Sequence, residues 1–361
     1  IGVILDWVPA HFPKNEEGLV RFDGSPCYEY EDHRIGEHKE WGTYVFDFGK
    51  AEVKSFLISN AVFWIEEYHV DGIRVDAVSS MIYRNYARTD YIPNIHGGVE
   101  NYEATELLKT LNGWVQCHYG HVMMIAEEST AWPMVTHSTD SGGLGFSHKW
   151  NMGWMHDSLD YFKMDYYARK WSHDQFCFSM VYAFSEHFIL PLSHDEVVHG
   201  KKSLLDKMPG DPWRKFASLR TLYIYMMAHP GAKLFFMGSE FGPYIEWRFY
   251  EELEWFLLEY DVHSKMQRFT RELNHFYLSH EALWLRDHSW EGFEWIDTSD
   301  WKNSVYIVRR KAEFAEDDIY VVLNMVPVPL DGYKIPLWEE GTYYVVYNSD
   351  DTDYGGSGYR L

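Results

Sequence analysis

The stretch HVDGIRVDAVSSMIY, residues 69–83, decides how the rest of the chain is interpreted. Its centre, residues 72–78, is a short apolar run with two charges, Arg74 and Asp76, and such a run between helical patterns is typical of a buried parallel strand. A charge inside such a strand is costly unless it is paired or lies where the strand opens onto a cleft. Because Arg74 and Asp76 are two positions apart, both side chains leave the strand on the same face. Taken alone, the pair favours a structural ion pair.

The same pattern recurs along the chain, in alternation with helical patterns. Helical spacing is found over residues 50–68, around 104–115, from Pro212 to Pro230 and through 266–276. Further strands are predicted at residues 1–5, 121–126, 145–152, 188–192 and 232–237. Acidic residues stand at the ends of several of these strands: Asp6, Asp76, Glu127, Asp195 and Glu240.

Strands that alternate with helices imply parallel crossovers, and the strand ends of a (β/α)8 TIM barrel carry its active site. An open doubly wound sheet is the competing architecture, but no glycine-rich phosphate loop follows any strand. The barrel is therefore predicted for residues 1–285. After residue 285, short β-branched and aromatic runs at 305–308, 319–323, 333–337 and 343–347 predict a partial antiparallel β domain, residues 286–361.

Composition excludes several classes of partner. The chain has 32 basic and 55 acidic residues, a formal charge of −23, which argues against nucleic acid or an anionic membrane as a partner. No apolar run is long enough to span a bilayer. Three scattered cysteines suggest neither a disulfide framework nor a zinc site, so a reducing, cytoplasmic location is expected. An aromatic content of 18% suits a surface that stacks on flat, hydroxyl-rich ligands.

Three carboxylates at the ends of different strands, Asp76, Glu127 and Asp195, are what glycosidic bond chemistry needs. Arg74 would hold Asp76 ionised, and His11 and His194 could donate hydrogen bonds to sugar hydroxyls. A zinc-binding HExxH helix is disfavoured because its two histidines are four positions apart, whereas His194 and His199 are five apart. A serine hydrolase is disfavoured because the sequence has no GxSxG nucleophile elbow. Glu128 is expected to point to the opposite face and pair structurally.

The segments around these residues resemble those of a known family. Four segments are similar to the signature segments of the alpha-amylase superfamily: DWVPAHFP (6–13), DGIRVDAV (71–78), AEEST (126–130) and LSHDE (192–196). The exact residues of these segments, together with SSMIY (79–83), KWNMGW (149–154) and HGKKS (199–203), are similar to those of bacterial glycogen branching enzymes. This resemblance extends over nearly the whole chain. The resemblance implies Asp76 as nucleophile, Glu127 as general acid/base and Asp195 as transition-state stabiliser. It also implies that Asp6, His11, Arg74 and His194 surround the sugar.

The function so implied is retaining glycosyl transfer: an α-1,4-glucan is cut and rejoined through an α-1,6 bond. No organic or metal cofactor is expected, and the partners are donor and acceptor glucan chains. The alternatives are a hydrolase of the same superfamily and a catalytically silent glucan-binding protein.

Three structural expectations accompany this interpretation. The carboxyls of Asp76 and Glu127 should lie about 5–5.5 Å apart, as in retaining enzymes. Glu127 should be less solvated than Asp76, which has Arg74 beside it, so that their pKa values separate. The resemblance implies that residues 1–5 form the third barrel strand, so only strands 3–8 would be present. The first and last of these strands would then be open edges, and residues 1–361 alone should be insoluble.

Overall fold

The computed structural model describes residues 2–337 and 339–359, which pack as two compact units. The first unit comprises the chain up to residue 150 together with residues 185–187. The second comprises residues 151–184 and everything from residue 188 onward. The boundary at residue 285 that the sequence suggested lies inside the second unit and stays a prediction.

The first unit is built on a parallel sheet of four strands. The strands, in spatial order, are β1 (Ile4–Trp7), β5 (Gly72–Val75), β6 (Met123–Ala126) and β7 (His148–Trp150). A small antiparallel sheet of β2 (Phe12–Pro13), β3 (Glu37–His38) and β4 (Thr43–Tyr44) lies in the long segment after β1, which also contains the short helix α1 (His33–Gly36). Its other helices are α2 (Ala51–Tyr68), α3 (Val78–Ile82) and α4 (Tyr102–His118).

Helices α2 and α4 cover the parallel sheet with apolar stripes at helical spacing. Val53, Leu57 and Ala61 of α2 are buried in one core with Ile73 and Val75 of β5. Asn101 fixes the start of α4, because its side chain accepts a hydrogen bond from the N–H of Ala104. All four residues of β5 are buried, which is the environment of a central parallel strand.

The second unit contains two parallel strands, β8 (Phe188–Leu192) and β9 (Ala232–Phe235), and a three-stranded antiparallel sheet, β10 (Phe293–Asp297), β11 (Val305–Arg310) and β12 (Ile319–Asn324). Its helices are α5 (Met152–Lys163), α6 (His173–Phe178), α7 (Leu204–Lys207), α8 (Pro212–Ala228) and α9 (Asp261–Ser279). Pro212 stands at the first position of α8, and the preceding Asp211 caps it. The core joins Leu190 of β8, Leu222 of α8 and Phe269 of α9 to Tyr306 of the antiparallel sheet.

The fold class is the one predicted: strands three to eight of a (β/α)8 barrel, followed by a partial antiparallel β domain. Most bounds differ by one to three residues from the predicted ones. The first strand begins at Ile4 rather than residue 1, which itself lies outside the described residues, and Asp6 lies inside that strand. No helix within residues 2–337 and 339–359 has the length and apolar character needed to traverse a lipid bilayer.

Two predictions for the antiparallel domain are wrong. Residues 333–337 and 343–347 are not strands, and the first strand of the sheet is Phe293–Asp297, which the sequence did not indicate. The segments at 333–337 and 343–347 are half-buried or exposed, so their β-branched and aromatic residues lack the packing that makes β-propensity effective.

Candidate active site

Three neighbouring strands of the first unit bring their carboxyl ends together. In the register of the sheet, Asp6 of β1 lies beside Arg74 of β5, and Val75 of β5 lies beside Ala126 of β6. Backbone hydrogen bonds continue past the strand ends: the N–H of Asp76 donates to Trp7, and the N–H of Glu127 donates to Val75. The acidic side chains that follow β5 and β6 are thus next to each other.

Arg74 binds the three carboxylates of Asp6, Asp76 and Glu127. One terminal nitrogen, Nη1, is 2.8 Å from Oδ1 of Asp76 and 3.1 Å from Oδ1 of Asp6. The other, Nη2, is 3.0 Å from Oε2 of Glu127. The Arg74 side chain is 4% exposed, so the guanidinium interacts with these carboxylates in a largely water-excluded position where charge–charge interactions are strong.

The indole of Trp150, at the end of β7, lies under Arg74. The centre of the guanidinium is 4.2 Å from the ring centroid, a cation–π contact. This contact restricts the guanidinium to one plane and so fixes the direction in which its nitrogens point. Trp150 was not among the site residues that the sequence predicted.

His11 is a further polar group that approaches Asp76. Its Nε2 is 3.7 Å from Oδ2 of Asp76, and its ring lies against Trp41, with centroids 5.2 Å apart. Burial alone would raise the pKa of the Asp76 carboxyl, but His11 and Arg74 outweigh burial and hold that pKa below its usual value. Asp76 is therefore ionised at neutral pH, as a nucleophile must be.

The rings of His38 and Trp41 pack against each other beside His11. His38 and Trp41 lie with centroids 4.2 Å apart, and the His38 ring is 6.2 Å from that of His11. Burial lowers the pKa of His38 to about 3, so this imidazole is neutral and adds no charge beside Asp76. His38 is the last residue of β3 and Trp41 lies in the turn between β3 and β4; neither was among the site residues that the sequence predicted.

Glu127 is held by the backbone as well as by Arg74. The N–H of Ala77 donates to its Oε2 at 2.8 Å. Ala77 adopts a left-handed conformation, with φ of 49°, and this turns its N–H toward the carboxylate at the start of α3. A non-glycine residue in this region costs about 1 kcal/mol, so the geometry around Glu127 is maintained against local strain.

The expectation about solvation is only partly met. Arg74 is turned toward Asp76 as expected, but it contacts Glu127 equally closely, and the two acid side chains are 25% and 21% exposed. Arg74 contacts both carboxyls, and the two side chains are buried to a similar extent. Neither the guanidinium nor burial therefore distinguishes Asp76 from Glu127. Their other contacts differ: His11 approaches Asp76, and the N–H of Ala77 donates to Glu127. The predicted separation of 5–5.5 Å between the carboxyls stays a prediction.

Glu128 is structural, as expected. Its side chain is fully buried and is bound by the ammonium group of Lys149, 2.5 Å away, and by the hydroxyl of Ser79. Thr130 donates to the same carboxylate through its N–H and its hydroxyl. The neighbour of the candidate acid therefore serves to anchor the loop after β6 to β7.

His194 and Asp195, the remaining predicted site residues, follow β8 in the second unit. They form a short 3₁₀ turn in which Nε2 of His194 is 3.3 Å from Oδ1 of Asp195. Ser193 and Glu196 close the turn with a reciprocal capping box, and burial raises the pKa of the Glu196 carboxyl. Both predicted residues are partly exposed and available to a ligand.

Two charged side chains hold the loop that carries Asp195. Glu246 accepts the N–H of Gly200 at 2.9 Å and that of Lys202 at 3.0 Å, one on each carboxylate oxygen. The ammonium group of Lys207 donates to the carbonyls of Glu196, Lys201 and Lys202. His199, Gly200 and Lys202 all have positive φ, so this loop needs such support to keep its shape.

Comparison with known proteins agrees with this picture. The chain is 54% identical to the 1,4-alpha-glucan branching enzyme GlgB of Halothermothrix orenii over 362 residues, 100% of this chain and 57% of the relative. It is 53% identical to GlgB 1 of Clostridium perfringens strain SM101 over 99% of this chain and 54% of that enzyme. The chain is therefore similar to branching enzymes along its whole length. It spans a little over half the length of these curated relatives.

Two further comparisons concern the fold of this chain. Residues 295–360 match the family model of the alpha-amylase C-terminal all-beta domain. Among solved structures, a maltogenic alpha-amylase, AmyB from Thermotoga neapolitana, is similar with a TM-score of 0.61 and 13% identity, over 90% of this chain and 65% of that one. At that identity the likeness concerns the fold alone.

Proposed function

We propose that the protein is a retaining 1,4-alpha-glucan branching enzyme. The observation that carries the proposal is the binding of Asp76 and Glu127, at adjacent strand ends, to the two terminal nitrogens of one guanidinium. Two carboxyls this close, with one held ionised, suit double displacement at a sugar carbon. The similarity to branching enzymes supports glucan chains as donor and acceptor.

In the first step, a carboxylate oxygen of Asp76 attacks the anomeric carbon of an α-1,4-linked glucose unit. Glu127, in its protonated form, gives its proton to the departing 4-oxygen, and the chain beyond that oxygen leaves. In the second step, the 6-hydroxyl of another glucan chain attacks the same carbon. Glu127 takes up the proton of that hydroxyl, the bond to Asp76 breaks, and an α-1,6 branch is formed.

The surrounding residues would assist charge development. The transition state resembles an oxocarbenium ion, so its positive charge is stabilised by carboxylates fixed in advance. Arg74, restrained by Trp150, keeps Asp76 and Glu127 in place without a reorganisation cost at the moment of reaction. We assign Asp195 to the same stabilisation and Asp6, His11 and His194 to the sugar hydroxyls.

The test is a pair of shape-preserving variants of the product of the complete gene, Asp76→Asn and Glu127→Gln. We expect Asp76→Asn to abolish transfer and Glu127→Gln to lower it about 10²–10⁴-fold, the usual contribution of a general acid/base. Branching is followed by loss of iodine staining of amylose and by debranching of the product. Asp140→Asn, at an exposed carboxyl of the same unit, is the matched control. Full activity of Asp76→Asn would refute the assignment.

The same assay separates the alternatives. A hydrolase would release reducing sugar in proportion to the loss of iodine staining, because water opens the intermediate. A branching enzyme conserves the number of reducing ends. A glucan-binding protein without catalysis would change neither quantity.

A further inference from the structure

Two large aromatic side chains of the second unit lie exposed beside each other. Trp171 is 74% exposed and Trp301 is 41% exposed. Their ring centroids are 6.0 Å apart and their planes are inclined by 38°. Tryptophan normally buries most of its surface, so two adjacent indoles left in water are unfavourable for folding and point to a ligand.

The backbone under Trp171 is firmly anchored. The preceding Arg169 is almost fully buried, and its guanidinium donates to the carbonyls of Met325 and Phe162, both at 2.8 Å. The N–H of Trp171 itself donates to Ala168 within a 3₁₀ turn. The exposed ring thus stands on a rigid support.

The turn under Trp301, between β10 and β11, is equally well fixed. The carboxylate of Asp300 accepts hydrogen bonds from the side chain of Asn303 and from the hydroxyl of Tyr333, the latter at 2.9 Å. The N–H of Trp301 donates to the carbonyl of Ser299 at 2.9 Å. This turn is therefore not a loosely held loop tip.

A buried histidine joins the two supports. Nε2 of His173, two residues after Trp171, lies 2.6 Å from the carbonyl of Thr298, three residues before Trp301. The His173 ring also stacks on Tyr306, with centroids 4.1 Å apart and an angle of 11°. Because the relative position of the two segments is fixed in advance, a ligand that contacts both rings meets little ordering cost.

The polar groups around the rings indicate the chemistry of the ligand. The ammonium of Lys170 lies over the ring of Trp171, 5.0 Å from its centroid, and that of Lys302 lies over the ring of Trp301, 5.7 Å from its centroid. Indole rings with hydrogen-bond donors this close suit a sugar, whose C–H groups contact a ring while its hydroxyls accept from the ammonium groups. An apolar peptide would have to desolvate both ammonium groups without compensation.

We propose that Trp171 and Trp301 form a platform that binds an α-1,4-linked glucan chain. The ligand class rests on the proposed function. None of the platform residues belongs to the candidate active site, so the platform holds the polymer and does not take part in the chemistry. It therefore lowers the KM for long glucans and leaves kcat, and the reaction of short oligosaccharides, unchanged.

The test uses Trp171→Ala, Trp301→Ala and the double variant of the product of the complete gene. The probe is β-cyclodextrin, a ring of α-1,4-linked glucose without chain ends, and binding is measured by calorimetry. We expect the dissociation constant to rise about tenfold for each ring removed, the equivalent of 1.4 kcal/mol. Trp301→Phe, which keeps a smaller flat ring, should fall between wild type and Trp301→Ala.

The control is Trp290→Ala. Trp290 is 55% exposed in the same unit but faces Phe184 rather than a second indole. Its removal should leave binding unchanged. The KM for amylose should rise in the double variant, at unchanged kcat, and thermal melting should match the wild type.

The outcomes separate the platform from the proposed function. Loss of cyclodextrin binding in the double variant of a protein that shows no branching supports the platform and refutes the function. Undiminished binding in a protein that branches amylose refutes the platform alone. If the double alanine variant melts at a lower temperature than the wild type, the double variant Trp171→Phe with Trp301→Phe takes its place. We expect this variant to bind β-cyclodextrin with intermediate affinity. Binding as tight as that of the wild type would refute the proposal.

Discussion

At the scale of single residues, the first unit places three carboxylates around one guanidinium. When Asp6, Asp76 and Glu127 are all ionised, Arg74 neutralises only one of their three charges. In the proposed mechanism a positively charged sugar forms beside this excess negative charge, and fixed charge of the opposite sign is an effective way to stabilise a transition state. Arg74 contacts both of the carboxyls that are proposed to react, so it does not by itself distinguish them.

His11 is a group that contacts Asp76, and its removal should move the pH profile. We expect His11→Ala to raise the pKa of Asp76, because His11 favours the ionised carboxylate. In the proposed mechanism Asp76 reacts in its ionised form, so the acidic limb of kcat/KM should shift to higher pH, while the plateau should fall because the proposed sugar contact of His11 is lost. His11→Gln, which retains a donor, should shift the limb less. An acidic limb at the wild-type position in His11→Ala would contradict this role.

The buried pair of Glu128 and Lys149 should matter for stability. Glu128→Gln leaves the Lys149 ammonium without its charged partner at a site where the two side chains are 0% and 8% exposed. Breaking a buried pair in this way typically costs about 3–5 kcal/mol. We expect that loss in the free energy of unfolding measured with urea. The double variant with Lys149→Met should recover much of it; an equally unstable double variant would show that the pair is not the cause.

The sequence predicted the charged residues of this site but not the aromatic residues that surround them. Arg74 and Asp76 follow from period-two spacing in a strand, and the pairing of Glu128 from its position next to Glu127. Trp150, His38 and Trp41 could not be found in that way. Their contribution is a ring contact across elements, and its geometry depends on how the loops return to the sheet.

At the scale of elements, the parallel strands and their helices were predictable because each has a clear period and a clear end. Phe188–Leu192 and the start of α8 at Pro212 agree with their predicted bounds. The antiparallel domain was less predictable. Residues 333–337 and 343–347 have the composition of strands, but strand pairing depends on a partner that composition does not specify.

The loop after β8 allows a test of how an element positions a side chain. Glu246→Ala removes the acceptor of two N–H groups in a segment with three positive φ angles. We expect kcat to fall about tenfold or more, as His194 and Asp195 lose their fixed positions. The melting temperature should change little, since the Glu246 carboxylate lies near the surface.

Glu251→Ala is the matched control for this loop. Glu251 is also an acid of the segment after β9, but its contact is an exposed ion pair with Arg248. Exposed pairs contribute little, so activity and melting should both be unchanged. Equal activity of Glu246→Ala and Glu251→Ala would show that the loop keeps its shape without the carboxylate.

At the scale of the whole molecule, the outer parallel strands differ from the inner ones. All residues of β5 and β8 are buried, whereas β1 is mostly exposed or half-buried and β9 is half-buried throughout. Among the described residues, β1 pairs with β5 and β9 pairs with β8, each along one side. Parallel strands with open sides present unpaired backbone groups and apolar side chains such as Val3 and Ile4.

Residues 1–361 produced on their own should therefore aggregate. We expect little soluble protein, no cooperative melting transition and no branching of amylose. Solubility after centrifugation, followed by calorimetry, checks this. A soluble, cooperatively melting and active product would show that the two open strand sides are tolerated.

The position of Trp150 under Arg74 has an optical consequence. An indole in contact with a guanidinium and near three carboxylates changes its emission when the surrounding field changes. The difference in fluorescence between the wild type and Trp150→Phe isolates this indole from the other fifteen tryptophans of the chain. The candidate active site thus contains its own reporter, which should register the arrival of a sugar, or the formation of the proposed covalent intermediate, in a stopped-flow experiment without any added label.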